Sequence, residues 1–335
     1  MRGLRRPSLV PPTLRADRAA GKKTDEHREK RAQSPGCELD FPDHWNNRDV
    51  RGALFAMQGW VCAYCQRDLD GDGGDVDHFR PKNGGLHVGH DGYWWLAYRF
   101  DNYLLACRRC NEHVKREQFP VRGTARAEHT HEDAEAHEHR LLLEPTREGD
   151  SVEVCFVVDV VDDLCPVRAR LRDERDRDAC ERVEETERLF RLNDDVDHRR
   201  PRIRARVDVI NARRTRGSAD EHRMKAGRFH PHSAAWRDAL RTHAPEVALP
   251  TPAEEFRWLL DQMLARLNLW FTMQSEGDAE VWNSRAEEIG WALAFLWVDP
   301  PTGDSESVRS WLDEQRLTEW VDAYRRKLTR VSSAR

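Results

Sequence analysis

The sequence contains no run of eighteen or more apolar residues, which excludes an ordinary membrane-spanning helix. Its basic N-terminal stretch, MRGLRRPSLVPPTLRADRAAGKK, is not followed by the hydrophobic segment of a signal peptide. A cytoplasmic location and no membrane partner are the resulting expectations. A large surplus of either charge is also missing, since 55 Lys and Arg stand against 60 Asp and Glu for a net charge of -5. That balance argues against a uniformly basic nucleic-acid binder. Cysteine is sparse, with eight in 335 residues. Cys37, Cys155, Cys165 and Cys180 are scattered singles, so a secreted disulfide framework is not expected. No internal repeat is found.

What is present suits a soluble globular protein with a very polar surface: 34% charged and 39% apolar residues. The length fits roughly two domains, each with its own core. The average charge conceals two basic segments. Residues 1–31 hold ten Lys or Arg against four Asp or Glu, and residues 199–228 hold eleven against three. Either segment could track phosphates, or be respectively a disordered arm and a solvated helix face. The stretch RDERDRDACERVEETE (172–187) reads as a salt-bridged helix surface.

Residues 1–36, rich in Arg, Lys and Pro, are expected to form a basic extended arm. Val50, Leu54 and Met57 fall at helical spacing and predict a helix to about Gln58, stopped by Gly59. Asp75 to Phe79 reads as a short strand closed by Pro81, Gly92 to Tyr98 as an aromatic helical turn, and Tyr103 to Ala106 as a second strand. A helix should then start at Asn111. The His- and Glu-rich stretch AEHTHEDAEAHEHR reads as a surface loop, and Val152 to Val161 as a hairpin or edge strand. Helices dominate afterwards: Phe256 to Phe271 carries an apolar stripe, and seven of the twelve tryptophans lie between Trp258 and Trp320. The expected division is an arm over 1–36, an α+β module over 37–145 and a mainly α-helical domain over 146–335.

The strongest chemical pattern is C62-A-Y-C65 followed, after 41 intervening residues, by C107-R-R-C110. Two such knuckles supply four thiolates to a tetrahedral structural Zn²⁺; a redox dithiol or iron-sulfur centre is the competing use. Between and after the pairs lie D75-V-D-H-F-R-P-K82 and D101-N-Y-L-L-A-C-R-R-C-N111-E-H-V-K115.

These segments resemble the HNH, or His-Me finger, nucleases. Asp77-His78 matches the acidic-His pair, Asn102 the central Asn and Asn111 the final position. Over residues 1 to 145, PxxL, VRGALFAMQGWVCAYC, HFRPK, GYWWLAY, FDNYLLACRRCN and FPV are similar to HNH nucleases associated with retrons and with Septu-type anti-phage systems. The resemblance implies a zinc-stapled ββα-metal fold, a phosphodiester hydrolase acting on nucleic acid with DNA preferred, and an ATPase protein partner. It also makes Asn102 the orienter of His78.

Such chemistry needs an activated water, neutralisation of charge on the phosphorane and help for the departing 3′-oxygen. Asp77 and Asn111 offer hard oxygens suited to Mg²⁺ or Mn²⁺. His78 would take the proton from water. Adjacent residues of a regular strand face opposite sides, so the strand is expected to end or kink at Asp77-His78. His113 lies two residues from Asn111 and faces away from it on a helix. Arg80, Lys82, Arg108, Arg109 and Lys115 flank the site as candidate phosphate contacts. Asp68-x-Asp70-x-Asp72-Gly73 starts like a calcium loop, but its twelfth position is Phe79, so it reads as a glycine-rich turn. The His129, His131, His137 and His139 group reads as a solvated loop. The alternative to a nuclease is a zinc-dependent nucleic-acid-binding or adaptor subunit without cleavage activity.

Overall fold

The computed structural model describes residues 4–69, 73–84, 91–124, 126–128, 130, 134–147, 150, 157–159, 168–170, 176–193, 196–214, 219–273 and 279–330. In chain order these form α1 (Ala19–Gln33), α2 (Arg48–Gln58), β1 (Asp75–His78), β2 (Tyr103–Ala106), a π-helical turn (Arg109–Lys115), β3 (Val157–Asp159), β4 (Arg168–Arg170), α3 (Arg177–Phe190), α4 (Val196–Arg214), α5 (Ser233–His243), α6 (Pro252–Met273), α7 (Ala279–Val298), α8 (Ser305–Glu314) and α9 (Thr318–Thr329). Contacts divide the chain into two interleaved units. One comprises Met1–Leu4, Trp60–Tyr93 and Leu105–Thr251; the other comprises Arg5–Gly59, Trp94–Leu104 and Pro252–Arg335. Neither unit is one consecutive segment of the chain.

In the first unit β1 pairs with β2, whose last two residues, Leu105 and Ala106, belong to it. Gly73 and Gly74 lead into β1 with φ of 70° and 67°, backbone angles that favour glycine. A Cβ on Gly74 would meet the Ala106 carbonyl oxygen at 2.8 Å. β3 and β4 pair antiparallel with Val157 opposite Arg170; β3 falls within the stretch expected to hold a hairpin or edge strand, the rest of which lies outside the described residues. The Asp176 carboxylate caps α3 by accepting from the Ala179 N–H. A small apolar core joins α4 to α5 through Ala205, Val209, Ala235, Trp236, Ala239 and Leu240.

Among the described residues, the regular elements of the second unit are helices apart from its share of β2. The segment expected to be an extended arm instead carries α1, whose His27 is fully buried. The His27 ring bonds the Asp40 carbonyl at 2.8 Å and meets the Phe41 ring edge-on at 4.8 Å. Lys, Glu, Arg and Ala are all good helix formers, so a basic composition did not mean an irregular chain. α2 ends at Gln58, and Gly59 adopts φ 63° beyond it, as its sequence signals predicted. Every residue of α2 from Asp49 to Gln58 is buried. It packs on α7 with Arg51 paired to Glu288 at 2.7 Å inside the contact.

Gly52 lets these helices meet. A Cβ there would lie 2.5 Å from the Trp291 Cβ and 2.7 Å from the Glu288 carbonyl oxygen. Gly52→Val should therefore force the helices apart and lower stability by about 1–3 kcal/mol, read as an earlier urea midpoint. An unchanged midpoint would remove Gly52 from the contact. Trp311 fills the core of this unit and donates to Asp261 at 3.3 Å. Trp258, Trp270, Trp291, Trp297 and Trp320 are only half-buried, so the tryptophan-rich region is core in part. No helix among the described residues is long and apolar enough to cross a membrane.

Candidate metal centre and adjoining carboxylate site

Cys62 and Cys65 sit in a tight knuckle ahead of β1, and Cys107 and Cys110 at the start of the π-helical turn. All four are buried, and their sulfurs lie within 4.8 Å of one another. The Cys65 and Cys107 sulfurs are 3.7 Å apart. Four sulfurs at ~2.3 Å from a tetrahedral zinc would stand about 3.8 Å apart, so the donor set, its softness and its spacing all fit a structural zinc. The knuckles are built for this: the Gln66 N–H reaches the Cys62 carbonyl at 3.1 Å with φ 63° at Gln66. The Cys110 N–H approaches the Cys107 sulfur at 3.5 Å.

Four thiols this close share protons. Hydrogen bonds donated by Cys110, Cys62 and Cys65 hold the Cys107 thiol far below its usual range. Hydrogen bonding to Cys107, aided by burial, pushes Cys65 and Cys110 well above theirs. A divalent cation would displace those protons, so metal uptake here should release acid.

The outer side of the first knuckle is tied to the helices of the same unit. The Gln66 carbonyl and side-chain oxygens accept from His232 N–H at 2.9 Å and Ala234 N–H at 3.2 Å, at the entry to α5. Arg202 of α4 caps the Leu192 carbonyl at 2.7 Å. Burial brings its pKa down to about 10 against the opposing pull of Cys65 and Glu187.

Asp77 and His78 end β1, both buried at 2% and 7% exposure. The strand ends at His78, as the adjacent acid-histidine pair led one to expect. Period-two alternation puts Asp75 and Asp77 on one face of β1. The π-helical turn meets that face. Asn111 donates its amide to Asp75 at 3.3 Å. Four residues on, fully buried Lys115 donates to Asp77 Oδ1 at 2.9 Å and to the His78 carbonyl at 2.7 Å. Tyr64 donates its hydroxyl to the other Asp77 oxygen. Burial first, then the negative Asp77, keeps that phenol protonated well above its usual range.

Asn111 is therefore brought beside Asp75 rather than directly onto Asp77. His113 is exposed, as its opposite position on the turn requires. Asn102 belongs to the second unit, where it is buried and donates to the Leu96 carbonyl at 3.3 Å.

The basic side chains expected at phosphates differ in their surroundings. Arg80 is paired with buried Glu138 at 2.7 Å, and its guanidinium lies 5.1 Å from the Phe119 ring centre. Lys115 is consumed by Asp77. Both side chains are thus engaged with buried acids. Arg108 is exposed and pairs with Glu112 at 2.7 Å, while Arg109 is half-buried. Half-buried Lys82 has its ammonium pKa lowered by burial, with Asp77 and Glu117 opposing.

Sequence reasoning missed Tyr64, Asp75 and Glu138. Glu138 also accepts from the Tyr93 hydroxyl at 2.5 Å. It lies in the stretch expected to be a surface loop, whose Ala127, Glu138 and Arg140 are in fact buried. His139 of the same stretch pairs with Asp178 at 2.8 Å. His129 and His131 lie outside the described residues, as do Cys155, Cys165, Asp70 and Asp72.

Comparison with known proteins gives two relatives. The chain is 32% identical over 124 residues to Septu protein PtuB of Bacillus mycoides (strain KBAB4), a match covering 35% of this chain and 41% of PtuB. It is also 32% identical over 92 residues to Septu protein PtuA of the same strain, covering 26% of this chain and 13% of PtuA. The matched regions thus span less than half of either relative. No protein-family model matches the chain, and neither does any solved structure.

Proposed function

We propose that this chain is a metal-dependent endonuclease of the HNH type, acting on DNA in a Septu-type anti-phage system together with a protein partner of the ATPase class. The observation that carries the reading is the clamp of the Asp77-His78 strand onto the Asn111–Lys115 turn, directly following four cysteines spaced for zinc. Similarity to the Septu proteins PtuB and PtuA supports the defence role and the partner.

In this reading Asp77 and Asn111 would hold Mg²⁺ or Mn²⁺. Each Asp77 oxygen carries one hydrogen bond and so keeps a lone pair, and the Asn111 amide oxygen is not spent on the Asp75 contact. When bound, the metal supplies charge neutralisation for the phosphorane and the departing 3′-oxygen. The His78 imidazole, whose ordinary titration range lies near neutrality, accepts a proton from water as the water oxygen bonds to phosphorus and the bond to the 3′-oxygen breaks. Asn102 is assigned to orienting His78 on the strength of the motif. Lys82 and Arg108 remain the candidate phosphate contacts in this unit.

One observation favours a second reading, a zinc-stapled adaptor without cleavage activity: Lys115 and Tyr64 already engage both Asp77 oxygens. Incubating purified protein with plasmid, single-stranded DNA and RNA, with Mg²⁺ or Mn²⁺ and with chelator, separates the two. Metal-dependent cutting supports the nuclease, and binding without cutting supports the adaptor.

A further inference from the structure

Tyr64 lies inside the first cysteine pair, adjacent to Cys65 and two residues from Cys62, so whatever fixes the sulfurs fixes its backbone. Its side chain is 1% exposed, and its ring stacks on Phe190 of α3 with centres 4.2 Å apart and planes 17° from parallel. Stacking and burial need only a ring, and phenylalanine would serve as well. The hydroxyl has a separate task, because it donates to Asp77. Lys115 takes the opposite oxygen of the same carboxylate.

A carboxylate torsion is intrinsically broad and roughly two-fold. Held by a donor at each oxygen, Asp77 has one orientation, and its remaining lone pairs point in set directions. One of those donors is part of the four-cysteine knuckle. The other is carried by the turn that begins with the second cysteine pair. Both arms reaching Asp77 therefore start from residues that a zinc would bind.

We infer that Tyr64 is a positioning residue that transmits the geometry of the four-cysteine metal site to the Asp77 carboxylate, so that this site sets the cutting carboxylate as well as stapling the fold. Its consequence for cleavage rests on the nuclease reading; the hydrogen bond itself does not.

The test is Tyr64→Phe in the full chain, purified with its zinc. The variant should keep stoichiometric zinc and cooperative unfolding, since ring and stacking survive. Loss of a hydrogen bond to a charged group should lower kcat for DNA cleavage about tenfold, with KM for DNA little changed. Mn²⁺ affinity by titration calorimetry should fall several-fold. Wild-type kcat and wild-type Mn²⁺ affinity in the variant would overturn the inference. If the wild-type protein cuts nothing, the nuclease reading fails, and a crystal structure of Tyr64→Phe still decides this one. An Asp77 carboxylate rotated from its place beside Lys115 upholds positioning, and an unmoved carboxylate overturns it.

Discussion

Cys107→Ser is expected to strip the metal and unfold the first unit together. The four sulfurs are the only group of three or more metal-capable side chains brought together among the described residues, and the elements around them are short. β1 and β2 have four residues each and the π-helical turn seven, too little to bury a sufficient core without a staple. A structural zinc in small fingers contributes about 10–16 kcal/mol of apparent binding energy that is also folding energy. Serine cannot replace a thiolate in that set, so most of the contribution should go. Zinc analysis should fall from one equivalent to a small fraction, and the variant should appear in the insoluble fraction or as an early, broad thermal transition. A soluble Cys107→Ser protein with full zinc would contradict the assignment of the site.

Lys115→Met should be the next most damaging change, although no sequence argument singled the residue out for stability. Methionine keeps the apolar length and removes the ammonium. Asp77 would then be left 2% exposed with its ammonium partner gone, and the His78 carbonyl would lose the Lys115 donor. Breaking one side of a buried pair typically costs about 3–5 kcal/mol, mostly because the surviving charge has no water to return to. The urea midpoint should fall accordingly, with the slope unchanged. Adding Asp77→Asn should recover part of the loss, because the uncompensated charge is then gone. A Lys115→Met unfolding free energy within about 0.5 kcal/mol of the wild type, the range of ordinary surface changes, would mean that the pair is not buried as described.

Much of the frame around this site was legible. The end of α2 at Gln58 followed from Gly59, and β2 at Tyr103–Ala106 from an apolar run between polar residues. β1 emerged between two glycines and a proline. The cysteine spacing led to four converging sulfurs.

Other features depended on contacts distant in sequence. α1 was hidden because charge composition does not separate an arm from a helix that docks through one histidine. The interleaving of the units rests on α2 meeting α7, more than two hundred residues away, through a glycine with no distinguishing neighbours. The turn after Cys107 was expected as an ordinary helix starting at Asn111. Its wider π winding still places Asn111 and Lys115 on one face, where they meet Asp75 and Asp77. The partners of Arg80 and Lys115 were not legible because a basic letter does not say which acid it will find. Glu138 and Asp77 are those acids. Tyr64 was read as spacer inside a metal motif, and its hydroxyl has meaning only once β1 is folded beside it.

The central claim is that this protein cuts nucleic acid at Asp77-His78. The most direct test compares wild-type and His78→Ala protein, both carrying stoichiometric zinc, on supercoiled plasmid with Mn²⁺. The wild type should nick and linearise the plasmid, and chelator should stop it. His78→Ala should retain its fold and zinc while losing cleavage by about a hundredfold or more. Cutting by His78→Ala at the wild-type rate would contradict the account.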